Sequence, residues 1–307
     1  MKILVTGGAG RLGRSTLVAL GAAGHEVVSV DRSAAAGFGG RQVDIDLLHG
    51  ADLDDLVAAE APDAIVHLAA IAVPFSAPEQ VILDTNSRLA FAVLDAARRH
   101  CVPRVLAASS PTVVGYGAPG WQPDYLPLDE RHSARPWNAY ALSKLLVEEM
   151  VAMFARQGSS TVFGAFRPCF VISPGEWAGE PTQQGHTVFD RLADPALAAV
   201  SLFNYVDARD AAAFVLAWVE RADAAVNGEV FFVGADDALA LAPLAELLPF
   251  EGAAAITGTT PAFTSRRAAE RVGWRPTRSW RTELDPGLRA RLTTPDTAAH
   301  HAETSLP

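Results

Sequence analysis

The chain has 307 residues, half of them hydrophobic and a fifth charged, enough to bury a sizeable core in one domain or in one domain with a smaller lobe. Its formal net charge of −10 excludes the clustered Lys and Arg of a nucleic-acid or anionic-membrane surface. Cys101 and Cys169 are the only cysteines, and no Cys-x-x-Cys or His-Glu-x-x-His spacing occurs, so neither a disulfide framework nor a metal is expected.

Short apolar runs alternate with helix-length amphipathic segments over the first two thirds. The pattern predicts strands at 3–6, 27–30, 64–68, 105–108 and 162–167, and helices at 14–22, 53–59, about 84–99, and around Tyr140. A Gly/Pro-rich loop is expected over 111–136. Strands without polar alternation suit a parallel sheet covered by helices on both faces. After Pro168 the rhythm changes to a Gly/Pro-rich loop at 174–185, short elements, and a tight Ala/Leu/Pro region at 238–249. The division expected is therefore a core at 1–167 and a smaller lobe at 168–292 with elements returning to the core. A frayed tail at 293–307 would hold His300 and His301 away from any metal site.

Between the first strand and the first helix stands Thr6-Gly7-Gly8-Ala9-Gly10-Arg11-Leu12-Gly13. Glycines at 7, 10 and 13 allow a sharp turn, close approach of a pyrophosphate and tight packing of helix on sheet. The helix N-terminus then offers free N–H groups and a positive dipole end. An ordinary strand–helix turn is the alternative reading; the position at the first βα junction favours a dinucleotide. Asp31 ends the second strand, where a carboxylate accepts hydrogen bonds from adenosine ribose and repels a 2′-phosphate. NAD is therefore expected over NADP, with the adjacent Arg32 keeping NADP open. Asp44-Ile45 follows as an acidic–apolar pair that either cradles adenine or is simple loop and cap.

Near the middle, Tyr140 and Lys144 are four positions apart, so a helix stacks them on one face. At pH 7 only roughly one free tyrosine in a thousand is ionised, and an ammonium beside it favours the phenolate. Alone the pair is a weak signal, since such spacings arise on many solvated helices.

Taken in order, the glycine turn, Asp31, Asp44-Ile45, His67-Leu68-Ala69-Ala70, Asn86, Ser109-Ser110, Tyr140-x-x-x-Lys144 and Arg167-Pro168 resemble the extended short-chain dehydrogenase/reductase superfamily, the NAD-dependent epimerase/dehydratase group. The resemblance covers roughly 1–290, and within the group it is nearest to uronate dehydrogenase-like members. It implies a Rossmann-type doubly wound parallel sheet with a small C-terminal substrate lobe. It also implies Tyr140 as acid/base, Lys144 on the nicotinamide ribose and lowering the phenol's pKa, Ser110 on the substrate oxygen, and Asn86 as a fourth polar member that supports the site through backbone or water contacts. Leu68, Ala69 and Ala70 would line the cofactor's path, with Pro168 to Val171 against the nicotinamide. Ile71, Val73, Pro111, Thr112 and Asn138 would join Ser110 around the substrate, and Asp210 would tie the small lobe to the sheet.

Ser110 also reads as a strand-end turn residue, Asn86 as a cap or packing residue, His67 as a satisfied core histidine, and Cys169 as a buried small hydrophobe. The chain departs from the family's pattern in having Val114-Gly115-Tyr116 in the serine loop and Phe231-Phe232-Val233-Gly234 in the lobe. Pro111-Thr112 stands where dehydratases carry an acidic pair, so sugar-nucleotide dehydration is not expected.

The reading that results is NAD(P)-dependent hydride transfer at a hydroxyl-bearing carbon of a sugar or sugar-acid-like substrate. A nucleotide-sugar epimerase with tightly bound NAD is the alternative, with Arg191, Arg209 and Arg266 as candidates for its diphosphate. A non-catalytic NAD-sensing protein is the third reading. Relatives dimerise through the long helix and the Tyr140 helix, so a homodimer is implied, with Ala90, Phe91, Leu94, Leu145, Leu146 and Met150 as its face. No secretory h-region and no run of about 20 apolar residues is seen, so a cytoplasmic protein with no membrane partner is expected.

Overall fold

A computed structural model describes residues 1–48 and 50–293; residues 294–307, with His300 and His301 of the expected tail, lie outside them. In chain order the elements are β1 (Lys2–Thr6), α1 (Arg11–Ala22), β2 (Glu26–Asp31), β3 (Arg41–Asp44), α2 (Gly50–Glu60), β4 (Ala64–His67), α3 (Glu79–Arg99), β5 (Arg104–Ala108), α4 (Ala139–Arg156) and β6 (Val162–Pro168). Beyond β6 come β7 (Val171–Ile172), α5 (Pro174–Trp177), α6 (Val188–Ala193), α7 (Pro195–Ala199), β8 (Val206–Asp207), α8 (Ala208–Arg221) and β9 (Val230–Val233). Short helical segments at Leu244–Leu247, Arg266–Val272, Trp280–Glu283 and Pro286–Thr293 complete the described chain.

Seven strands form one sheet in the order β3-β2-β1-β4-β5-β6-β9, every neighbouring pair parallel. From β1 the chain winds outward to β3, then crosses back to β4 on the other side. The order thus reverses between β1 and β4, which opens a crevice at their C-terminal ends. The central strands are apolar on both faces because helices cover both: Leu17, Leu20, Phe214 and Trp218 of α1 and α8 on one side, Leu53, Val57, Leu94, Val151 and Phe154 of α2, α3 and α4 on the other. Each such side chain, fully buried, contributes about 1.5–3 kcal/mol of transfer free energy.

Two strands of this sheet, and the β7–β8 pair outside it, escaped the pattern expected from sequence. The segment Arg41–Asp44 is an edge strand whose side chains are mostly exposed, so it lacks the apolar run that marks its neighbours. The segment Val230–Val233 is apolar but returns from the lobe to become the other edge. That edge is blocked by side chains: the Phe232 amide donates to Glu130 Oε1 at 2.8 Å and Arg267 Nη1 donates to the Val230 carbonyl at 3.1 Å. Helix α3 starts five residues before the expected position, right after Pro78. Proline, which cannot donate a helical N–H, suits that boundary.

The lobe has a small core of its own, with Phe170, Ile172, Trp177, Val188, Leu192, Tyr205 and Trp280 packed around the β7–β8 pair. Asp210 on α8 fastens the C-terminal segment by accepting the amides of Thr277 and Arg278, each at 2.8 Å. The expected pairing face is split: Ala90 and Leu94 are fully buried against the sheet, whereas Phe91 is exposed and Leu145, Leu146 and Met150 are half-buried.

Candidate active site

A cleft of about 840 Å³ runs from the C-terminal ends of β1 and β2 across those of β4, β5 and β6 to the lobe. All the residues expected to bind cofactor or substrate line it, except Asp44 and Asn138.

At one end the wall is main chain. Gly7 has φ +77, a left-handed conformation that L side chains rarely adopt, and its carbonyl accepts the Gly10 amide at 3.1 Å. A Cβ on Gly13 would lie 2.1 Å from the Gly7 oxygen and 2.7 Å from the Gly8 oxygen, so the helix can sit this close only with glycine there. Gly10 caps α1 without a side-chain hydrogen bond, and no acidic residue occupies the first turn. The first amides of a 12-residue helix are therefore left for a ligand's oxyanion. Asp31 Oδ2 accepts the Ala9 amide at 3.0 Å and Oδ1 the Arg32 amide at 2.7 Å, which fixes the carboxylate beside the turn. Arg11, at the start of α1, pairs through Nε with the buried Glu176 of α5 at 2.6 Å and so tethers the glycine turn to the lobe. These features fit a dinucleotide: a cradle that Cβ atoms would fill, free helix amides, and a carboxylate fixed beside the turn.

The middle of the cleft carries the polar chemistry. Ser110 stands two residues beyond β5 in extended conformation, capping the turn Pro111–Val114, and its Oγ accepts from Thr112 Oγ1 at 3.0 Å and from the Thr112 amide at 3.3 Å. With its acceptor positions thus used, the hydroxyl proton is left to face the Tyr140 phenol, whose pKa it lowers. Turn residue and site residue are therefore the same serine. Helix α4 starts where Asn138 Oδ1 accepts the Ala141 amide at 2.8 Å, and it presents Tyr140 and Lys144 on one buried face. Lys144 Nζ stands 5.9 Å from the Tyr140 ring centroid and donates to the Ala108 carbonyl at 2.9 Å.

Burial pushes the Tyr140 phenol above its usual pKa, and the Ser110 hydroxyl pulls it back part of the way. The resemblance implied that Lys144 would lower this pKa; the larger influence is desolvation, which acts in the opposite direction. The same desolvation pushes Lys144 down to about 8. His67, beneath them, is driven to about 3 by burial and by the Lys144 charge, and its Nδ1 is 2.8 Å from Thr6 Oγ1. It is a neutral, satisfied core histidine. Behind the serine, Glu148 takes a bidentate bond from Arg167 at 2.7 and 2.8 Å and accepts from Ser109 Oγ at 2.5 Å.

Three expected site residues stand elsewhere. Asn86 is buried behind the wall: its Oδ1 accepts the Ile71 amide at 2.8 Å, and its Nδ2 donates to the Ile71 carbonyl at 3.2 Å and to Ser143 Oγ at 3.1 Å. Ser143 Oγ donates in turn to the Tyr140 carbonyl at 2.8 Å, so Asn86 positions the tyrosine's helix without touching the cleft. Asn138 spends its side chain on the helix cap rather than on the cleft. Asp44 is exposed at the end of the edge strand, and Ile45 with Asp46 takes the place beside the cleft.

Several lining residues were not anticipated: Leu47 and Leu48 beside Ile45, Tyr116 in the middle, and Gln184 and Ser201 on the lobe wall; Cys169 and Phe170 fall within the expected stretch Pro168 to Val171. Tyr116 had a signal, since it departs from the serine-loop pattern; the lobe residues had none. Cys169 also lines the cleft, and burial raises its thiol well above the usual range, as befits an inert small side chain.

The sheet order, glycine turn and Tyr–Lys helix together define a dinucleotide-binding α/β architecture. The sequence profile of the NAD dependent epimerase/dehydratase family matches residues 3–234, and the chain belongs to that family. It is 31% identical over 162 residues to a UDP-glucose 4-epimerase of Corynebacterium glutamicum, covering 50% of this chain and 47% of the relative. It is 32% identical over 163 residues to a uronate dehydrogenase of Pseudomonas syringae pv. tomato, covering 52% and 57%. The chain thus spans about half the length of the curated relatives it matches. A solved structure of a short-chain dehydrogenase/reductase superfamily protein from Agrobacterium tumefaciens with bound NAD superimposes with a TM-score of 0.73 at 25% identity, covering 95% of this chain and 97% of that one.

Proposed function

We propose that this protein is an NAD-dependent oxidoreductase that moves hydride between the nicotinamide and a hydroxyl or carbonyl carbon of a sugar or sugar-acid substrate. The observation that carries the proposal is the convergence of Ser110, Tyr140 and Lys144 in the same cleft as an uncapped, glycine-built helix N-terminus. The free amides of α1 hold the pyrophosphate, Asp31 accepts from the adenosine ribose, and Ile45 packs on the adenine. Leu68, Ala69 and Ala70 line the path toward Lys144, which binds the second ribose; Pro168 and Val171 back the reacting ring. When bound, NAD supplies the hydride acceptor or donor.

In oxidation the Tyr140 oxygen takes the proton of the substrate hydroxyl, while Ser110 fixes that oxygen in line with it. In reduction the same phenol, kept protonated by burial, delivers the proton to the carbonyl oxygen. Ile71, Val73, Pro111 and Thr112 bound the substrate beside Ser110. Asp31 selects NAD by facing a 2′-phosphate with a like charge.

The relatives named as UDP-glucose 4-epimerases supply a second reading, in which NAD stays bound and the sugar is oxidised and reduced in turn. Against it, Arg209 is already paired with Asp207 and Glu283, and Arg266 with Glu270 on the surface, which leaves few cations for a diphosphate. The two readings separate by following absorbance of reduced nicotinamide over uronates, aldoses and nucleotide sugars. Net NADH from a uronate or aldose supports the dehydrogenase; epimerised product without NADH, on cofactor that survives purification, supports the alternative. Binding of NAD with no turnover on any of them would leave the non-catalytic sensor. We also propose a homodimer over the α3–α4 face around Phe91, which sedimentation of the purified chain would test.

A further inference from the structure

Phe75 and Trp137 are 59% and 42% exposed, and their rings face each other with centroids 5.6 Å apart at 53°. Both belong to segments that end at the cleft. Val73 and Pro74, just before Phe75, line it, as does Val81 in the first turn of α3, so an apolar strip runs from the cleft out toward the pair. Trp137 stands one residue before the Asn138 cap of the Tyr140 helix, and its Nε1 donates to the carbonyl of Tyr116, a lining residue, at 3.2 Å. Glu79 Oε2 accepts the Ala139 amide at 2.6 Å and pins the two segments to each other. The indole is thus a fixed plate rather than a loose side chain.

Two costs attach to this arrangement. Aromatic surface is left in water. Phe75 also occupies a turn in which the Ser76 amide and hydroxyl both donate to the Val73 carbonyl, at 3.4 and 2.7 Å, and its φ of +61 is left-handed. Glycine would supply that conformation without strain. Among the described residues the ring's only aromatic contact is Trp137, so packing within the fold returns little. Strain kept where glycine would serve marks a side chain held for what it binds. We propose that Phe75 and Trp137 form an aromatic subsite at the mouth of the cleft, which takes an apolar, ring-bearing substituent of the substrate while the reacting carbon lies at Ser110 and Tyr140. The Val73, Pro74 and Val81 strip leading to it offers no side-chain hydrogen bond to a bare sugar. The word substrate rests on the oxidoreductase reading; the subsite itself does not. A second copy of the chain is the competing occupant, and position argues against it. Phe91, at the proposed dimer face, lies twelve residues beyond Glu79, about 18 Å along α3, whereas Phe75 precedes that helix at its cleft end.

Isothermal titration of the full chain with NAD present tests this with two matched pairs of probes, phenyl and methyl β-D-glucoside, and phenyl and methyl β-D-glucuronide. In at least one pair the phenyl compound is expected to bind about tenfold tighter, the worth of a ring stacked on an aromatic plate. Trp137→Ala should bring the two members to within about twofold of each other, and Trp137→Phe should keep most of the preference. Phe75→Gly should also weaken the preference, yet unfold in denaturant no more easily than wild type, because glycine accepts the left-handed backbone. Equal binding within both pairs, no binding of any probe, or a phenyl preference that survives Trp137→Ala would overturn the subsite. So would clear destabilisation by Phe75→Gly, which would make the ring a packing residue. A Trp137→Ala chain that sediments as a monomer where wild type is a dimer would give the pair to the partner and overturn it too. A phenyl preference with NADH formed from no substrate would overturn the oxidoreductase reading and leave the subsite standing. NADH formed from the phenyl and methyl compounds with the same KM would do the reverse.

Discussion

The two ends of the cleft are built from different materials. At the end beside the glycine turn the wall is largely main chain: a left-handed glycine, a second glycine with no room for a Cβ, and the open amides of α1, with the Asp31 carboxylate fixed next to them. At the lobe end the surface is side chain: Gln184, Ser201 and Phe170, each from a different segment, arranged around the buried guanidinium of Arg191, with which no carboxylate pairs among the described residues. Main-chain donors recognise what every dinucleotide has in common and cannot be retuned by substitution. Side chains can be exchanged one at a time, so discrimination between substrates belongs where side chains form the wall. Tyr140 sits where the two meet.

The strongest test of that division is at the junction. Tyr140→Phe removes the proton-transferring oxygen while keeping the ring, and turnover should fall by about 10²–10⁴-fold with NAD affinity retained. In the intact protein, the rate of oxidation should climb with pH through the alkaline range, because burial raises the phenol's pKa and only the phenolate accepts a proton. Steady-state rates for both forms between neutral and alkaline pH check this; a variant with wild-type turnover would remove Tyr140 from the chemistry.

The two buried guanidiniums sharpen the contrast further. Glu148→Ala strands Arg167 as an uncompensated charge and should cost about 3–5 kcal/mol of stability, read by denaturant unfolding. Arg191→Gln, which removes a charge already without a counter-ion, should cost less than Glu148→Ala. If Glu148→Ala unfolds no more easily than wild type, the Arg167 pair is not what holds the serine wall. Next in size, Asn86→Ala leaves the Ile71 amide and carbonyl and the Ser143 hydroxyl short of a partner. It should cost roughly 1–3 kcal/mol and lower kcat more than it alters NAD binding.

The same division explains what could be read before any coordinates. The glycine turn and the Tyr140–Lys144 pair are local: their spacing alone fixes the geometry, and the cleft holds both. The central strands were legible because each is buried on both faces and so reads as an uninterrupted apolar run. The edge strand Arg41–Asp44 was not, because half-solvated residues carry no such mark. Asn86 and Asn138 are chemically alike, and sequence cannot say that one clamps a loop and the other caps a helix. The lobe wall was illegible for a deeper reason. Gln184, Arg191 and Ser201 share no periodicity, and what makes them notable is an absence, the missing carboxylate, that becomes visible only once the segments are packed together.

The smallest expected effect lies at the glycine-turn end and concerns the carboxylate fixed beside it. Asp31→Asn keeps an oxygen that can accept either the Ala9 or the Arg32 amide, so the turn should survive, but it deletes the negative charge. Two like charges about 4 Å apart repel by roughly 1 kcal/mol in water and about 4 kcal/mol at the intermediate dielectric of a protein surface. Removing one of them should therefore shift the ratio of kcat/KM for NADP over NAD upward by about tenfold, with Arg32 newly available to the 2′-phosphate. Part of the shift should come from weaker NAD binding, since the neutral amide is a poorer acceptor for ribose hydroxyls than a carboxylate. A ratio that does not move would mean that Asp31 serves only to brace the Ala9 and Arg32 amides. In that case the nucleotide end would be main chain throughout, and its choice between the two cofactors would have to come from Arg32 or from the Ile45–Leu48 side of the cleft.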